Sequence, residues 1–327
     1  MKLNLSQLSR LVSGAVHITE EDGSLTFYRF TDEQSQLYKQ HRNPEYHRKT
    51  FSSAGIRMSL ATDSKHLAFD YKLGYGSSRM FGYFDIVVNG VLVAHAGADN
   101  ILHHTGRVEV VLPSGRKTVD IYFPWSKSTE LFDFTLDDDC ELAPIKRELT
   151  LLAYGDSITH GYDAEYPSLT YFSQLCDRLG ADGYNRAIGG DGFFPELLDS
   201  YEPVEPDIVV SAYGTNNWNT QPRPAFTDVC REWHKRLSEK FPDAKIFVIT
   251  PIWRADGDRE AKFGSPLEAA CEVISDICEP YRNITVIDGQ SLMPRDTGFY
   301  SDKYLHPNDL GFCRYAERLY HEMINYL

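Results

Sequence analysis

What is missing from this chain of 327 residues narrows its function before any motif does. No apolar run approaches the ~20 residues that span a bilayer, so no membrane partner is expected. The opening residues Met1-Lys2-Leu3-Asn4-Leu5-Ser6-Gln7-Leu8 have neither an apolar signal core nor a small-residue cleavage site, and with Met1 as the native start the expected location is the cytoplasm. Basic residues are few: 33 Lys and Arg stand against 47 Asp and Glu, a net charge of −14. A partner rich in phosphate needs clustered Lys and Arg, which excludes nucleic acid and acidic lipid surfaces. The six cysteines (Cys140, Cys176, Cys230, Cys271, Cys278 and Cys313) form no C-x-x-C pair and share no ligand spacing with histidine. A zinc site is therefore not expected, and thiols so scattered suit a reducing compartment better than a disulfide framework. Asp137-Asp138-Asp139 lacks the ligand spacing of a calcium loop and reads as solvated surface. No metal and no cofactor is expected. Internal repeats and low-complexity tracts are absent as well.

What is present divides into two textures. Residues 1–145 read as β-rich. Leu25–Phe30, Ile56–Ala61 and His66–Leu73 alternate apolar and polar residues, the period of half-buried strands. Phe84–Val88, Asn89-Gly90 and Val91–Ala94 read as a hairpin, because Asn-Gly suits a type I′ turn. Val108–Leu112 and Thr118–Phe123, around Pro113-Ser114-Gly115, read as a second such pair. Short strands separated by turn signals predict a β-sandwich of jelly-roll type. Aromatics gather near Gly74 and Gly76 (Tyr71, Tyr75, Phe81, Tyr83, Phe84) and are expected mainly in its core. Residues 146–327 alternate strands (149–154, 183–187, 208–213, 245–250, 285–288) with helices (169–179, 225–240, 267–281, 310–327), the pattern of a parallel sheet in an α/β fold. In the second helix Phe226, Val229, Cys230, Trp233 and Leu237 make one apolar stripe facing that sheet.

The α/β half is organised around Leu151-Leu-Ala-Tyr-Gly155-Asp-Ser157-Ile-Thr-His-Gly161, a buried-strand pattern that turns on a glycine and presents a serine. Open α/β sheets place ligands beyond the carboxyl ends of their strands. Alone, Gly-Asp-Ser is equally a capped strand-to-loop turn. Three further stretches stand at matching strand ends: Asn185-Arg-Ala-Ile-Gly189-Gly190-Asp191, Gly214-Thr-Asn216-Asn217 and His306-Pro-Asn308. In this order the four blocks resemble the SGNH (GDSL-type) hydrolase superfamily, over roughly residues 148–327. The surrounding words Gly161–Tyr171 and Phe193–Leu197 resemble a subgroup with an added N-terminal β-domain, which includes carbohydrate esterases and a polyketide-tailoring acyltransferase. The resemblance implies a flavodoxin-like parallel-sheet domain behind the sandwich and a serine-dependent acyl-transfer chemistry.

On that resemblance Ser157 is the nucleophile and His306 the base that takes its proton. The oxyanion formed on attack would be held by the backbone N–H groups of Ser157 and Gly190 and by the side-chain amide of Asn216. His160 is near Ser157 in sequence and is the weaker base candidate. Two positions depart from the family pattern. Asn217 stands where the third block usually has Asp, and Lys303 stands where an acid three residues before the histidine is usual. Asp302, one residue further back, is the expected orienting acid, with Asp309 and Asp288 as alternatives and a Ser-His dyad as the other possibility. Trp218, Trp253 and Arg254 are candidate substrate walls, balanced against core packing for Trp218 and an ordinary surface loop for the other two. The leading expectation is an esterase acting on a small acyl ester, an acylated sugar among the candidates. An acyltransferase has the same catalytic residues, and a non-catalytic glycan-binding protein has only the misplaced acid in its favour.

Overall fold

A computed structural model describes all 327 residues. Its strands in chain order are β1 (Val12–Ser13), β2 (His17–Glu21), β3 (Ser24–Tyr28), β4 (Arg57–Thr62), β5 (His66–Tyr75), β6 (Gly82–Val88), β7 (Val91–Ala98), β8 (His104–Val111), β9 (Lys117–Tyr122), β10 (Lys127–Leu136), β11 (Leu142–Pro144), β12 (Leu149–Gly155), β13 (Ala181–Asn185), β14 (Ile208–Ala212), β15 (Lys245–Ile249) and β16 (Ile284–Ile287). They make two antiparallel sheets and one parallel sheet.

The antiparallel sheets, ordered β2-β3-β10-β5-β8 and β1-β4-β9-β6-β7 with β11 beside β4, lie face to face. Period-two alternation sends Leu67, Phe69, Tyr71 and Leu73 of β5 inward, against Phe84, Ile86 and Val88 of β6. Each fully buried side chain of this size stabilises the fold by about 1.5–3 kcal/mol relative to exposure. Asn89 and Gly90 both take positive φ (49° and 79°), as a type I′ turn between β6 and β7 requires. The second expected hairpin does not form. β8 pairs with β5, while β9 pairs with β4 and β6, so the connection over Pro113–Gly115 crosses from one sheet to the other. Alternation reports which face a strand buries and not which neighbour it pairs with. The Asp137–Asp139 run follows β10, where Asp137 accepts from the Lys65 N–H and the His66 ring.

Residues 29–54 add two helices that the β-rich reading of the N-terminal part did not include. Helices Asp32–His41 and Pro44–Lys49 lie here, the first capped reciprocally by Thr31 and Gln34 and the second by Asn43 with proline at its first turn. Phe30 and Tyr38 pack into the same core as Phe194 and Trp233, and Ala54 and Trp125 into that of Phe172 and Tyr315.

The parallel sheet runs β13-β12-β14-β15-β16, which counted within the sheet is 2-1-3-4-5, a doubly wound order. Helices Arg223–Lys240 and Leu267–Cys278 belong to one core cluster of the sheet, and Tyr171–Leu179 and Asp309–Met323 to the other. Of the expected stripe, Phe226, Cys230, Trp233 and Leu237 are fully buried. The six cysteines are all free. No helix is long and apolar enough to cross a membrane.

One residue ties the parts together. Arg29, fully buried at the end of β3, donates to Ser52 O (2.9 Å), Ser52 Oγ (2.8 Å), Lys49 O (3.0 Å), Asn185 O (2.7 Å) and Ala187 O (2.9 Å). Burial, and then the charge of Arg186, pull it down to about 9. Removing residues 1–145 would strip these donors from the end of β13 and uncover the sites of Phe30, Tyr38, Ala54 and Trp125. Residues 146–327 expressed alone should therefore show no cooperative thermal transition by circular dichroism, and a sharp melt like that of the whole chain would contradict this.

Candidate active site

β12 ends at Gly155, where a Cβ would lie 2.2 Å from Thr159 Oγ1, so a side chain there would block the turn. Asp156 caps the single helical turn Ser157–His160 by accepting the Ile158 N–H at 3.0 Å, and Gly161 ends it with φ of 109°. Ser157 is thereby set at the first helical position, 6% exposed. His306 Nε2 lies 2.9 Å from Ser157 Oγ, and His306 Nδ1 lies 2.8 Å from Asp302 Oδ2. Ser157, His306 and Asp302 are thus brought into one hydrogen-bonded line.

The extra residue before His306 is taken up by Lys303, which adopts φ of 66°, a region L-residues other than Gly, Asn and Asp enter at a cost of about 1–2 kcal/mol. The turn is over-determined in return. Asp302 Oδ1 accepts the backbone N–H groups of Tyr304, Leu305 and His306 at 3.0, 2.8 and 3.1 Å. Burial alone would raise the Asp302 carboxyl, but the His306 hydrogen bond and the Leu305 and Tyr304 N–H groups outweigh it and hold the group well below the usual carboxylate range. The alternative acids are occupied elsewhere: Asp288 caps helix Gly289–Leu292, and Asp309 accepts the Glu165 N–H. Asp163, which the sequence did not single out, reaches to 3.8 Å from His306 Nδ1 but is paired with Arg79 and Ser301.

The turn Gly189-Gly190-Asp191 lies beside this line, and its hydrogen bonding is nearly complete. Gly189 N–H donates to His160 Nδ1 (3.1 Å) and Gly189 O accepts from Lys49 Nζ (2.6 Å). Gly190 O accepts from Tyr46 Oη (2.7 Å), Asp191 N–H donates to Ile188 O (3.0 Å), and Asp191 O accepts from Asn216 Nδ2 (2.8 Å). Of the six backbone polar groups, the Gly190 N–H alone has no protein acceptor, and neither does the N–H of Ser157. Gly190 holds φ of 89°. Asn216 spends one of its two amide hydrogens on Asp191 and keeps the other. Asn217 Oδ1 accepts the Phe193 N–H at 3.2 Å, while Nδ2 donates to Gln221.

His160 is a framework residue. It is fully buried, and its Nε2 lies 2.9 Å from Ser52 Oγ and 3.1 Å from Trp125 O. With Nδ1 accepting from Gly189, the proton belongs on Nε2. Burial, then the charges of Arg29 and Lys49, hold the ring neutral, well below its ordinary pKa. Two wall candidates are corrected. Trp218 is fully buried with its Nε1 donating to Ser265 O, and Arg254, 5% exposed, is engaged by Asp256 and Thr215 beneath Trp218. An apolar ring and a cation next to a catalytic block satisfied each other in the core. Trp253 remains half-exposed, its ring 5.4 Å from that of Tyr300.

The one cluster with metal-ligand proximity is Asp163, Asp302 and His306. Its oxygens and ring nitrogen already meet protein donors and acceptors: Arg79, Ser301, three backbone N–H groups and the His306–Asp302 bond itself. Arg42, Tyr46 and Lys49, which hold the Gly189–Phe193 segment, were missed from sequence. The signal available was Thr31-x-x-Gln34 and Asn43-Pro44, a capping box and a capped proline that mark helix starts.

A serine at a strand-to-helix turn, a histidine bridging it to a carboxylate and an uncommitted N–H are the groups that acyl transfer through a serine would use. Residues 153–312 match the model of the GDSL-like lipase/acylhydrolase family. Among solved structures, the salicylyl-acyltransferase SsfX3 from a tetracycline biosynthetic pathway shares 23% identity at a TM-score of 0.80, over 97% of this chain and 95% of that one. A family two carbohydrate esterase from Clostridium thermocellum in complex with cellohexaose shares 19% at 0.65, over 83% and 92%. Another from Cellvibrio japonicus shares 16% at 0.65, over 98% and 96%. At these identities the likeness is one of fold. No curated protein matches in sequence.

Asp156 supplies a pH test of this turn. Burial pushes its carboxyl up to about 6 from an ordinary 3.8, opposed by the Ile158 N–H. A raised acid contributes stability below its unfolded pKa and loses it as pH rises through the folded value, here between about pH 4 and 6, worth at most about 3 kcal/mol. The melting temperature of Asp156→Asn relative to the parent should accordingly rise from pH 4 to pH 7. A difference independent of pH would contradict the assignment.

Proposed function

We propose that the chain is a serine esterase hydrolysing small acyl esters, acetyl esters above all, of carbohydrate alcohols. The observation that carries this reading is the line from Ser157 Oγ through His306 to Asp302, at 2.9 and 2.8 Å, together with a Gly190 N–H that has no protein acceptor. Under it residues 1–145 form a jelly-roll accessory domain and residues 146–327 a flavodoxin-like hydrolase domain, a division that the strand orders of the three sheets support.

The chemistry follows from the geometry. Asp302 accepts the Nδ1 proton, which leaves the Nε2 lone pair directed at Ser157 Oγ. Nε2 takes the hydroxyl proton as Oγ attacks the ester carbonyl, and Asp302 stabilises the imidazolium formed. The Ser157 and Gly190 N–H groups and the free Asn216 amide hydrogen receive the oxyanion. His306 then protonates the departing alcohol, and water, deprotonated by the same ring, releases the acid from the acyl-enzyme.

The sugar alcohol is supported by the carbohydrate-esterase folds, one of them with cellohexaose bound. A second reading, transfer of the acyl group to an alcohol, is supported by the likeness to an acyltransferase over 97% of the chain. The non-catalytic glycan-binding reading had Lys303 in place of the acid as its support, and Asp302 at 2.8 Å from His306 speaks against it.

A screen of p-nitrophenyl esters and acetylated sugars, with and without added polyol acceptors, separates hydrolysis from transfer. Ser157→Ala should abolish turnover with the fold intact, and retention of more than a few per cent of kcat/KM would refute the nucleophile. Asn216→Ala should lower kcat by about 10²–10³ at a near-constant KM, whereas a change mainly in KM would place Asn216 in ground-state binding. Asp302→Asn should cost orders of magnitude in kcat, because the ring would lose its proton acceptor. A loss below about threefold would mean that Asp302 does not orient the ring.

A further inference from the structure

Lys49 is an unusual neighbour for a backbone turn. It sits at the end of helix Pro44–Lys49, is 9% exposed, and has one hydrogen-bond acceptor, Gly189 O at 2.6 Å, 140 residues away in sequence. Its ammonium makes no direct ion pair, though the buried carboxylate of Asp191 acts on it through space. Its other neighbours are the rings of Tyr46 and Tyr162, with centroids 5.2 and 5.8 Å away. A neutral donor would satisfy a buried carbonyl equally well. The chain instead places a cation here, its desolvation cost offset in part by the buried carboxylate of Asp191.

The position of the accepting carbonyl explains what the charge adds. Gly189 O and the Gly190 N–H belong to the same planar peptide unit, because the amide joining the two residues carries both. A cation bonded to the oxygen draws electron density across the conjugated C–N bond and makes the N–H at the other end a stronger donor. That N–H is the one backbone group of the turn left without an acceptor. The following peptide unit is pinned in the same way from the same helix, by Tyr46 Oη on Gly190 O at 2.7 Å.

We infer that Lys49, carried in from the N-terminal part of the chain, is a positioning residue that fixes and polarises the Gly189–Gly190 amide so that its N–H stabilises the oxyanion. This deepens the esterase reading and rests on it. The effect is confined to charge that develops during reaction, so it enters kcat and not ground-state affinity. Hydrogen-bond cooperativity of about 10–30% acting on a donor worth ~10²–10³, together with looser placement of the turn, amounts to about tenfold.

The test uses the full chain and p-nitrophenyl acetate. Lys49→Met should lower kcat about tenfold with KM within about twofold, and weaken binding of a boronic acid that forms a tetrahedral anion on Ser157 by a like factor. Lys49→Arg, which keeps the charge, should recover most of the loss. If the Met variant does not fold, the comparison passes to Lys49→Arg against Lys49→Gln, with Arg expected about tenfold faster. Equal rates in the charged and neutral variants, or a loss expressed in KM alone, would overturn the inference. Should Ser157→Ala and Asn216→Ala be inactive while Lys49→Met matches the parent, the role of Lys49 fails and the esterase reading stands. Full activity in Ser157→Ala would bring down both.

Discussion

A guanidinium buried without a carboxylate partner must find its acceptors mainly among backbone carbonyls, and Arg29 finds them in two stretches: Lys49–Ser52 and Asn185–Ala187. Leaving any of its donors unpaired would carry the full desolvation penalty. The end of β3, the chain after helix Pro44–Lys49 and the end of β13 are therefore held in one arrangement. Gly189 and Gly190 begin two residues beyond the last of these contacts. The turn that carries the proposed oxyanion donor is thus located by a residue of the first antiparallel sheet, and the β-sandwich is part of the site's framework.

The same accounting explains why one N–H is left free. His160, Lys49, Tyr46, Ile188 and Asn216 satisfy every other backbone polar group from Gly189 to Asp191. A donor that acts in a reaction must be in place before charge develops, with no reorganisation left to do. Saturating its neighbours achieves this, because the turn cannot rotate without breaking several buried hydrogen bonds. On the opposite side, Asp302 meets the same requirement with one oxygen on three N–H groups and the other on His306. The strain of Lys303 in the left-handed region is offset by those bonds.

Hydrolysis and acyl transfer use the same residues on this geometry and differ in which oxygen reaches the acyl-enzyme. What distinguishes them lies outside the Ser157–His306–Asp302 line, in the surfaces where an alcohol would rest. Arg79 from the sandwich is paired with Asp163, which reaches His306 at 3.8 Å, and is set over Tyr162 at 4.9 Å. Trp253 is half-exposed beside Tyr300.

Local pattern alone determined a good deal of this protein. Strands 149–154, 208–213 and 245–250 and the stripe on helix 223–240 were legible because periodicity depends only on which side chains are buried. The four short blocks in order resembled those of the SGNH hydrolases, and that resemblance pointed to Ser157, Gly190, Asn216 and His306; a parallel sheet gathers the carboxyl ends of its strands on one edge, which is where the blocks lie. Asp302 was legible as the nearest acid, though only the φ of Lys303 shows how the extra residue is absorbed. Other features were settled by tertiary structure, and each involves groups far apart in sequence. Pairing of β8 and β9 in opposite sheets depends on the path of a turn, to which alternation is blind. Trp218 and Arg254 became core residues because Asp256, Thr215 and Ser265 came within reach. Lys49 and Tyr46 gained their meaning only when a helix from the first fifty residues closed over Gly189 and Gly190, for a carbonyl's hydrogen-bond partner is set by three-dimensional proximity and leaves no spacing to read.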